Sequence, residues 1–338
     1  MDMQKSFSRK ISKRRRRQRI QRIVFTVCFM VGIIFLTINV TGKAKTIKLQ
    51  QKPPETKEEQ ETDADEKSDE VSLSKITWDK SIYIYHNDQN LLSQLKERMN
   101  TDLENREKLQ FIIKNQGAYP PEMIEFLVKY EEVLDFVLKY PEEIRKKHSS
   151  IIDISEDYVK GSIPTFIQWD ERWGYLHYGD NVIGDSGCGP CCLSMAVVAL
   201  TGKTQYTPAA LCQFAQDNGY YVDGVGTAWD LMLGGAQKLG LSSENIHIEE
   251  DSIKKELEEG KLVILSMGPG IFTKGGHFIL VYKYENGKFY VKDPNSRLRT
   301  DKGYTYQEFG SQIKNGWAVW NNSSYKKIPE RITAEKIQ

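Results

Sequence analysis

The cysteine-rich stretch SGCGPCC, residues 186–192, is the strongest chemical signal in this chain of 338 residues. It contains CGPC, the dithiol pattern of thiol–disulfide oxidoreductases, and it also places Cys188 at the start of an apolar helical pattern. A helix N-terminus favours negative charge and therefore the thiolate, which is the nucleophilic form of cysteine. Two chemistries are open here: disulfide exchange with Cys191, or attack of Cys188 on a carbonyl group.

The residues around the motif favour the nucleophile. A thioredoxin-type dithiol follows a buried strand, whereas HYGDNVIGDSG (177–187) is polar and rich in glycine. Gly187 and Gly189 are expected to let the backbone approach a substrate closely, because neither has a side chain. Cys191 and Cys192 are expected to point along the helix into the fold and to pack as small hydrophobes.

A cysteine nucleophile needs a base and a group that orients the base. Of the five histidines, His277 follows Gly275 and Gly276 and opens an apolar strand, so we expect its ring at a sheet end beside open space. Asp293 closes the next strand of a predicted hairpin and can accept the second ring N–H of His277. The pattern predicts Cys188 as nucleophile, His277 as general base and Asp293 as orienter. A histidine satisfied within its strand is the alternative for His277.

The elements that must position these residues follow from hydrophobic periodicity. Helices are predicted from Cys188 to the stop signal Gly202, and over 227–239 and 251–259. Strands are predicted over 262–267, 277–284 and 288–294, the last two joined by the turn 285–287, and a late edge strand over 317–320. Helices first and an antiparallel sheet second is an α+β order.

A small helical subdomain is predicted upstream, over 81–160. Apolar residues recur there at helical spacing, and EFLVKYEE (125–132) is echoed by DFVLKYPEE (135–143). Because ten residues is too short for a solenoid unit, the echo predicts two consecutive short helices. Their aromatic side chains are expected in a core.

The N-terminal region predicts a membrane anchor. Residues 23–42 carry no charge and, as a helix, are long enough to cross roughly 30 Å of hydrocarbon. Ten Lys and Arg residues and no acid lie between Lys5 and Arg22, which favours a cytoplasmic tail, 1–22, and an exported remainder. Residues 43–80 are charged and predict a disordered stalk. A cleaved signal peptide and a nucleic-acid-binding basic arm are the alternatives.

Four stretches, in this order, carry a resemblance to a known family: FIQWDERWG (166–174), SGCGPCCLSMAVVALTG (186–202), GPGIFTKGGHFILV (268–281) and YVKDPNS (290–296). Together they resemble the bacterial papain-fold cysteine peptidases related to the double-glycine, bacteriocin-leader peptidases. The resemblance implies a papain-like domain, placed at 161–325, in which a helix carrying the cysteine packs on an antiparallel sheet carrying the histidine and the aspartate.

The resemblance also implies the catalytic roles. It makes Cys188 the nucleophile, His277 the base and Asp293 the orienter, and it implies a glutamine in the oxyanion hole beside the Cys188 backbone N–H. Gln168 is the matching glutamine, although it lies twenty residues before Cys188 and the relatives place theirs six before. Asn181 is the alternative donor.

The expected function is a single-pass protein of the bacterial cell membrane whose extracellular domain hydrolyses peptide bonds through an acyl-enzyme. Peptides, proteins and peptidoglycan peptides are the candidate substrates, and no nucleic-acid partner is expected. A cell-wall peptide hydrolase, a dithiol oxidoreductase and a non-catalytic binding module are the alternatives. No metal or cofactor is expected, because no second CxxC or HxxxH pair accompanies the clustered cysteines. A disulfide from Cys212 to Cys191 or Cys192 stays open.

Overall fold

The computed structural model describes residues 84–322, together with Leu73 and Ile76. The predicted tail and membrane span, and the stalk apart from those two positions, lie outside the described residues. Within the described part, no helix combines the length and the apolar character that a membrane crossing needs. The helices and strands from residue 84 onward belong to one compact unit.

Helices come first in the described part, and most of the strands of the main sheet come last. The helices are α1 (Gln89–Thr101), α2 (Arg106–Lys114), α3 (Pro121–Lys129), α4 (Leu134–Glu143), α5 (Ile183–Ser186), α6 (Cys188–Thr201), α7 (Pro208–Asp217), α8 (Ala236–Lys238), α9 (Glu250–Glu258) and α10 (Tyr306–Phe309). Single turns of 3₁₀ helix occur at Gln116–Ala118, Glu131–Val133 and Gly310–Gln312, and a π-helical turn occurs at Leu231–Gly235.

The strands form one large sheet and two small hairpins. They are β1 (His177–Tyr178), β2 (Asn181–Val182), β3 (Tyr221–Val222), β4 (Gly226–Thr227), β5 (Ser242–Asn245), β6 (Leu262–Met267), β7 (His277–Glu285), β8 (Lys288–Lys292), β9 (Gly303–Tyr304) and β10 (Ile313–Trp320). The six-stranded sheet has the order β5-β10-β6-β7-β8-β9, and every neighbouring pair is antiparallel. The predicted α+β order is confirmed.

The sheet is covered on both faces, which explains why β6 reads as a continuous apolar run. Leu262 and Ile264 join the core that surrounds α6, whereas Val263 and Leu265 join a second core that also contains Ile253 of α9. All six side chains of β6 are buried. Because alternate residues of a strand point to opposite faces, a strand covered on both faces needs an apolar residue at every position.

The elements next to the site follow their local signals. Helix α6 ends at Gly202, which adopts φ +70° as a left-handed cap, and this is where the prediction ended it. Asn286 and Gly287 take φ of 52° and 75° in the β7–β8 turn, a conformation that both residue types tolerate. The helix and the hairpin are therefore confirmed.

Two predicted elements form, but the start of one and the place of the other in the sheet were predicted wrongly. Thr227 does not cap a helix: it lies in β4, its hydroxyl hydrogen-bonds the Tyr178 hydroxyl at 2.9 Å, and helical structure starts later, at 231–235. The segment 317–320 belongs to β10, which is interior to the sheet because β5 pairs with it on the outer side. Strand β5, with the sequence SSEN, lacks the apolar alternation that predicts a strand.

The first four helices enclose a core of their own. The near-repeat does form two consecutive short helices, α3 and α4, as predicted, and their apolar residues pack with those of α1 and α2. The buried members of these two helices include Met123, Ile124, Phe126, Leu127, Leu134, Phe136, Val137 and Leu138. The bounds 81–160 of this helical subdomain stay a prediction.

Phe136, on α4, packs this subdomain against the segment that leads to Cys188. Its ring stacks on the Tyr175 ring with centroids 4.3 Å apart, and the Tyr175 hydroxyl donates to the Phe136 carbonyl at 3.0 Å. A Cβ on Gly174 would lie 2.7 Å from the Phe136 ring, and one on Gly184 would overlap it. The two glycines therefore form the space that the ring fills.

Replacing Phe136 by alanine is expected to lower the free energy of unfolding by about 3–5 kcal/mol, because the ring leaves a cavity that two glycines cannot refill. Urea unfolding followed by tryptophan fluorescence measures the change. Leu103→Ala is the control, since this side chain is 67% exposed and its loss should change stability by less than about 0.5 kcal/mol. Equal effects in both variants would contradict the packing role.

Candidate active site

Cys188 is the accessible thiol of the described chain. It is the first residue of the 14-residue helix α6, where backbone N–H groups have no intrahelical acceptor and the helix dipole favours an anion. Its side chain is half-buried, whereas Cys191, Cys192 and Cys212 are fully buried. Burial raises the pKa of each of these three thiols well above the ordinary value, so they stay protonated.

All four described cysteines are free thiols, so the disulfide left open from Cys212 does not form in this structure. Within residues 84–322, no group of three or more His, Cys, Asp or Glu side chains is arranged to hold a metal ion. Cys192 packs in the core that surrounds α6 and Cys191 is fully buried, so both are placed as small hydrophobes, as predicted.

Strand pairing brings His277 and Asp293 together. His277 is the first residue of β7, Asp293 directly follows β8, and Leu280 lies opposite Lys292 in the antiparallel pair. The His277 Nε2 atom lies 2.8 Å from Asp293 Oδ1. Asp293 is fully buried and His277 is 5% exposed, so the pair is shielded from water.

The Cys188 side chain lies close enough to the His277 ring to contribute to the rise of that ring's pKa. Because Nε2 is held by Asp293, Nδ1 is the ring nitrogen left for the sulfur. The N-terminus of α6, the start of β7 and the end of β8 therefore meet at one point. The three residues chosen from the sequence are adjacent in the order Cys188, His277, Asp293.

The charges of the site hold each other in their ionised forms. Burial alone lowers the pKa of His277, but the charge and hydrogen bond of Asp293 outweigh burial and, with Cys188, raise this pKa to about 10. Burial alone raises the pKa of Asp293, and the charges of His277 and Arg299 outweigh it, so the net shift is downward. At neutral pH the pair is an imidazolium and a carboxylate.

Arg299 completes the surroundings of Asp293 and was missed by the sequence reasoning. Its Nε donates to Asp293 Oδ2 at 2.6 Å, while Oδ1 also accepts the Asn295 backbone N–H at 2.8 Å. Both carboxylate oxygens are therefore fixed. No local pattern marks Arg299, because it reaches Asp293 only when residues 294–298 fold back as a turn.

The glycines around Cys188 are required by packing within the protein. A Cβ on Gly189 would lie 2.8 Å from Thr227 Cγ2, and one on Gly187 would lie 2.6 Å from the Ile183 carbonyl oxygen. At both positions the missing side chain makes room for a neighbouring residue of the same chain, and close approach to a substrate stays a prediction.

A Gly189→Ala variant is expected to displace the first turn of α6, because its new methyl group clashes with Thr227. The free energy of unfolding should fall by about 1–3 kcal/mol, and iodoacetamide should alkylate Cys188 at a changed rate. Gly275→Ala is the matched control for stability, since nothing lies within 4 Å of a Cβ there. A Gly189→Ala variant as stable as wild type would contradict the clash.

The predicted oxyanion donors lie near Cys188 but are engaged elsewhere. The Gln168 Nε2 donates to the carbonyl oxygens of Gly184 at 2.8 Å and Asp185 at 3.2 Å, and Oε1 is buried without a partner among the described residues. Asn181 Nδ2 donates to the Asp185 carboxylate. In this structure neither amide has an N–H directed at Cys188, so the oxyanion role stays a prediction.

A cysteine at a helix start, beside a histidine that an aspartate holds, is the arrangement of papain-like cysteine peptidases, and here it occurs on an α+β fold. Residues 161–328 match the model of the C39-like peptidase family. This part of the chain belongs to that family of cysteine-type peptidases, which confirms the resemblance identified in the four sequence stretches.

Solved structures of peptidase domains are similar to this chain. The peptidase domain of Streptococcus ComA, a bifunctional ABC transporter of a quorum-sensing pathway, is 19% identical, with a TM-score of 0.34 over 40% of this chain and 92% of its own. A C39-like peptidase from Bacillus anthracis is 14% identical, with a TM-score of 0.32 over 50% and 96%. A double-glycine motif protease of an AMS/PCAT transporter, in complex with the leader peptide, is 15% identical, with a TM-score of 0.26 over 48% and 91%. No curated protein matches the chain.

Proposed function

We propose that this chain is a membrane-anchored cysteine peptidase that hydrolyses peptide bonds outside the cell through an acyl-enzyme. The observation that carries the proposal is one imidazole, His277, which the buried Asp293 carboxylate holds at 2.8 Å and which interacts with Cys188 at the start of α6. A dithiol mechanism would instead need a second reactive thiol, and Cys191 is fully buried with a raised pKa.

The geometry supports a two-step reaction. The Cys188 thiolate attacks the scissile carbonyl carbon, and the protonated His277 gives its Nδ1 proton to the leaving amine as the C–N bond breaks. A water molecule then attacks the thioester while His277 accepts its proton, which releases the acid and restores the thiolate. Asp293 stays ionised throughout and keeps the ring in one orientation.

The oxyanion formed in each step needs donors. The Cys188 backbone N–H has no intrahelical acceptor, because Cys188 is the first residue of α6, and it supplies one donor. We assign the second to Gln168, whose amide contacts the two carbonyls of the turn that leads to Cys188. Its bond to the Asp185 carbonyl, at 3.2 Å, is the longer of the two and is the one to be exchanged for substrate.

An acylation experiment tests the proposal. Incubation of the chain with p-nitrophenyl acetate should release a burst of about one nitrophenolate per chain and leave one acetyl group on the peptide containing Cys188. Mass spectrometry after an acid quench locates the acetyl group. Steady release of nitrophenolate with no burst, or an acetyl group found on another cysteine, would contradict the acyl-enzyme mechanism.

The location and the substrate class rest on the sequence. The uncharged segment 23–42 and the basic run before it support an anchor with the peptidase domain outside the cell. Protease added to intact cells should then digest the domain, and its protection would contradict this topology. Parallel incubation with labelled casein and with purified peptidoglycan distinguishes a protein substrate from a cell-wall peptide.

A further inference from the structure

A carboxylate of the helical subdomain is bound by the turn that follows Asp293. Glu132 Oε1 accepts a hydrogen bond from the Ser296 hydroxyl. Its Oε2 accepts the backbone N–H groups of Arg297 at 2.8 Å and Leu298 at 3.2 Å. Hydrogen bonds to an ionised acceptor are stronger than neutral ones, and two successive backbone N–H groups form a small anion-binding nest. The three hydrogen bonds from Ser296, Arg297 and Leu298 to this carboxylate form the Glu132 brace.

The brace continues to the catalytic carboxylate. Ser296 is fully buried, and its hydroxyl oxygen also accepts the backbone N–H of Arg299 at 3.0 Å. Arg299 in turn donates from Nε to Asp293 Oδ2 at 2.6 Å. An unbroken series of hydrogen bonds therefore runs from Glu132 through Ser296 and Arg299 to Asp293, and from Asp293 to the ring of His277.

The same short segment also contacts the loop that precedes His277. The Tyr130 hydroxyl donates to Thr273 Oγ1 at 3.2 Å, and this oxygen accepts the Gly275 backbone N–H at 3.0 Å. The Tyr130 ring lies 5.8 Å from the Arg299 guanidinium carbon, within reach of a cation–π interaction. Residues 130–132 thus contact both loops that carry the histidine and the aspartate.

We propose that Tyr130 and Glu132 are positioning residues of the peptidase, which act on the reaction through Arg299, Asp293 and His277. Both precede residue 161, where the family match begins, so the support comes from the helical subdomain of this chain. The inference rests on the proposed function, because it takes His277 as the residue that activates Cys188.

Loss of the Glu132 carboxylate has a definite electrostatic consequence. The turn loses its shared acceptor, and Arg299 is no longer held against Asp293. Asp293 stays buried and loses part of the compensation that keeps its pKa low, so this pKa rises. A protonated Asp293 no longer stabilises the imidazolium, and activity is lost at a higher pH when the solution is acidified.

The experiment measures casein hydrolysis by the full-length chain as a function of pH. Glu132→Ala should lower kcat about tenfold with KM within about twofold, and should move the acidic limb of kcat/KM up by about half a pH unit. Glu132→Gln keeps one acceptor oxygen, so its kcat and its acidic limb should lie between those of Glu132→Ala and wild type. Glu131→Ala removes the neighbouring exposed carboxylate, which the brace does not use, and should match wild type.

The outcomes separate this inference from the proposed function. A folded Glu132→Ala with the kcat and the acidic limb of wild type overturns the brace, as does an equal change in Glu131→Ala. If Glu132→Ala does not fold, the pH profile of Arg299→Lys is measured instead, because lysine keeps the charge of Arg299 but not its hydrogen-bond geometry. An Arg299→Lys variant with the pH profile of wild type overturns the brace. Activity that survives Cys188→Ala sinks the proposed function instead.

Discussion

Replacing Cys188 by alanine is expected to lower kcat for casein hydrolysis by at least ~10³-fold, because Cys188 is the accessible thiol of the described residues and lies beside His277. Cys191→Ala, three residues further along α6, should retain activity within about threefold. The two thiols belong to one CGPC stretch but differ in exposure: Cys188 is half-buried and lies beside His277, whereas Cys191 is fully buried. Casein hydrolysis, with thermal unfolding to check the fold, measures both.

The same pair of variants separates the peptidase from the dithiol oxidoreductase. A dithiol enzyme needs both sulfurs, so equal loss in Cys188→Ala and Cys191→Ala, with insulin disulfides reduced by wild type, would refute the peptidase assignment. The buried Cys212 provides a further control, since Cys212→Ala removes a thiol from the core without touching the CGPC stretch.

Asp293→Asn is expected to lower kcat by about 10²–10⁴-fold. The carboxylate holds the His277 ring at 2.8 Å and is the charge that raises the His277 pKa to about 10. An amide of the same shape carries no charge, so it does not stabilise the imidazolium. The substitution also leaves the Arg299 guanidinium facing a neutral amide at the fully buried position 293, which lowers the free energy of unfolding.

The direction in which stability depends on pH follows from the sign of the His277 pKa shift. A His277 pKa raised from 6.5 to about 10 adds stability that is fully present below pH 6.5 and is lost as the pH rises through 10. In Asp293→Asn this contribution disappears, so stability should depend less on pH in this window. The alkaline limb of kcat/KM should move down towards the ordinary histidine value.

Denaturant unfolding and kcat/KM, each measured across this pH window, test the prediction for Asp293. Asp301→Asn is a matched control: its side chain is 53% exposed and pairs with Lys292 outside the triad. It should leave kcat within about twofold and the alkaline limb in place. An unmoved alkaline limb in Asp293→Asn would mean that Asp293 does not set the protonation of His277.

The sequence indicated where Cys188, His277 and Asp293 lie in the fold because each has a local signal. Cys188 opens an apolar helix that ends at a glycine, and His277 and Asp293 terminate two strands joined by a short turn, so hairpin pairing alone makes them neighbours. These are interactions within one helix and one hairpin, which short-range pattern can specify.

The residues that complete the site have no such signal. Glu132 lies 164 positions before Ser296, and only the packing of the helical subdomain brings the two together. The glycine at position 184 makes room for Phe136, a contact that no spacing rule contains. Strand β5 was missed for a related reason, since its polar sequence is strand only because β10 offers a partner.

The rate at which iodoacetamide alkylates each cysteine of the native chain tests directly whether Cys188 is a nucleophile activated by His277 and Asp293. Mass spectrometry of quenched samples resolves the sites. Cys188 is expected to react at least ~10²-fold faster than the three buried cysteines, and activity should fall in step with its modification. Earlier alkylation of another cysteine, or full alkylation of Cys188 with activity retained, would contradict the claim.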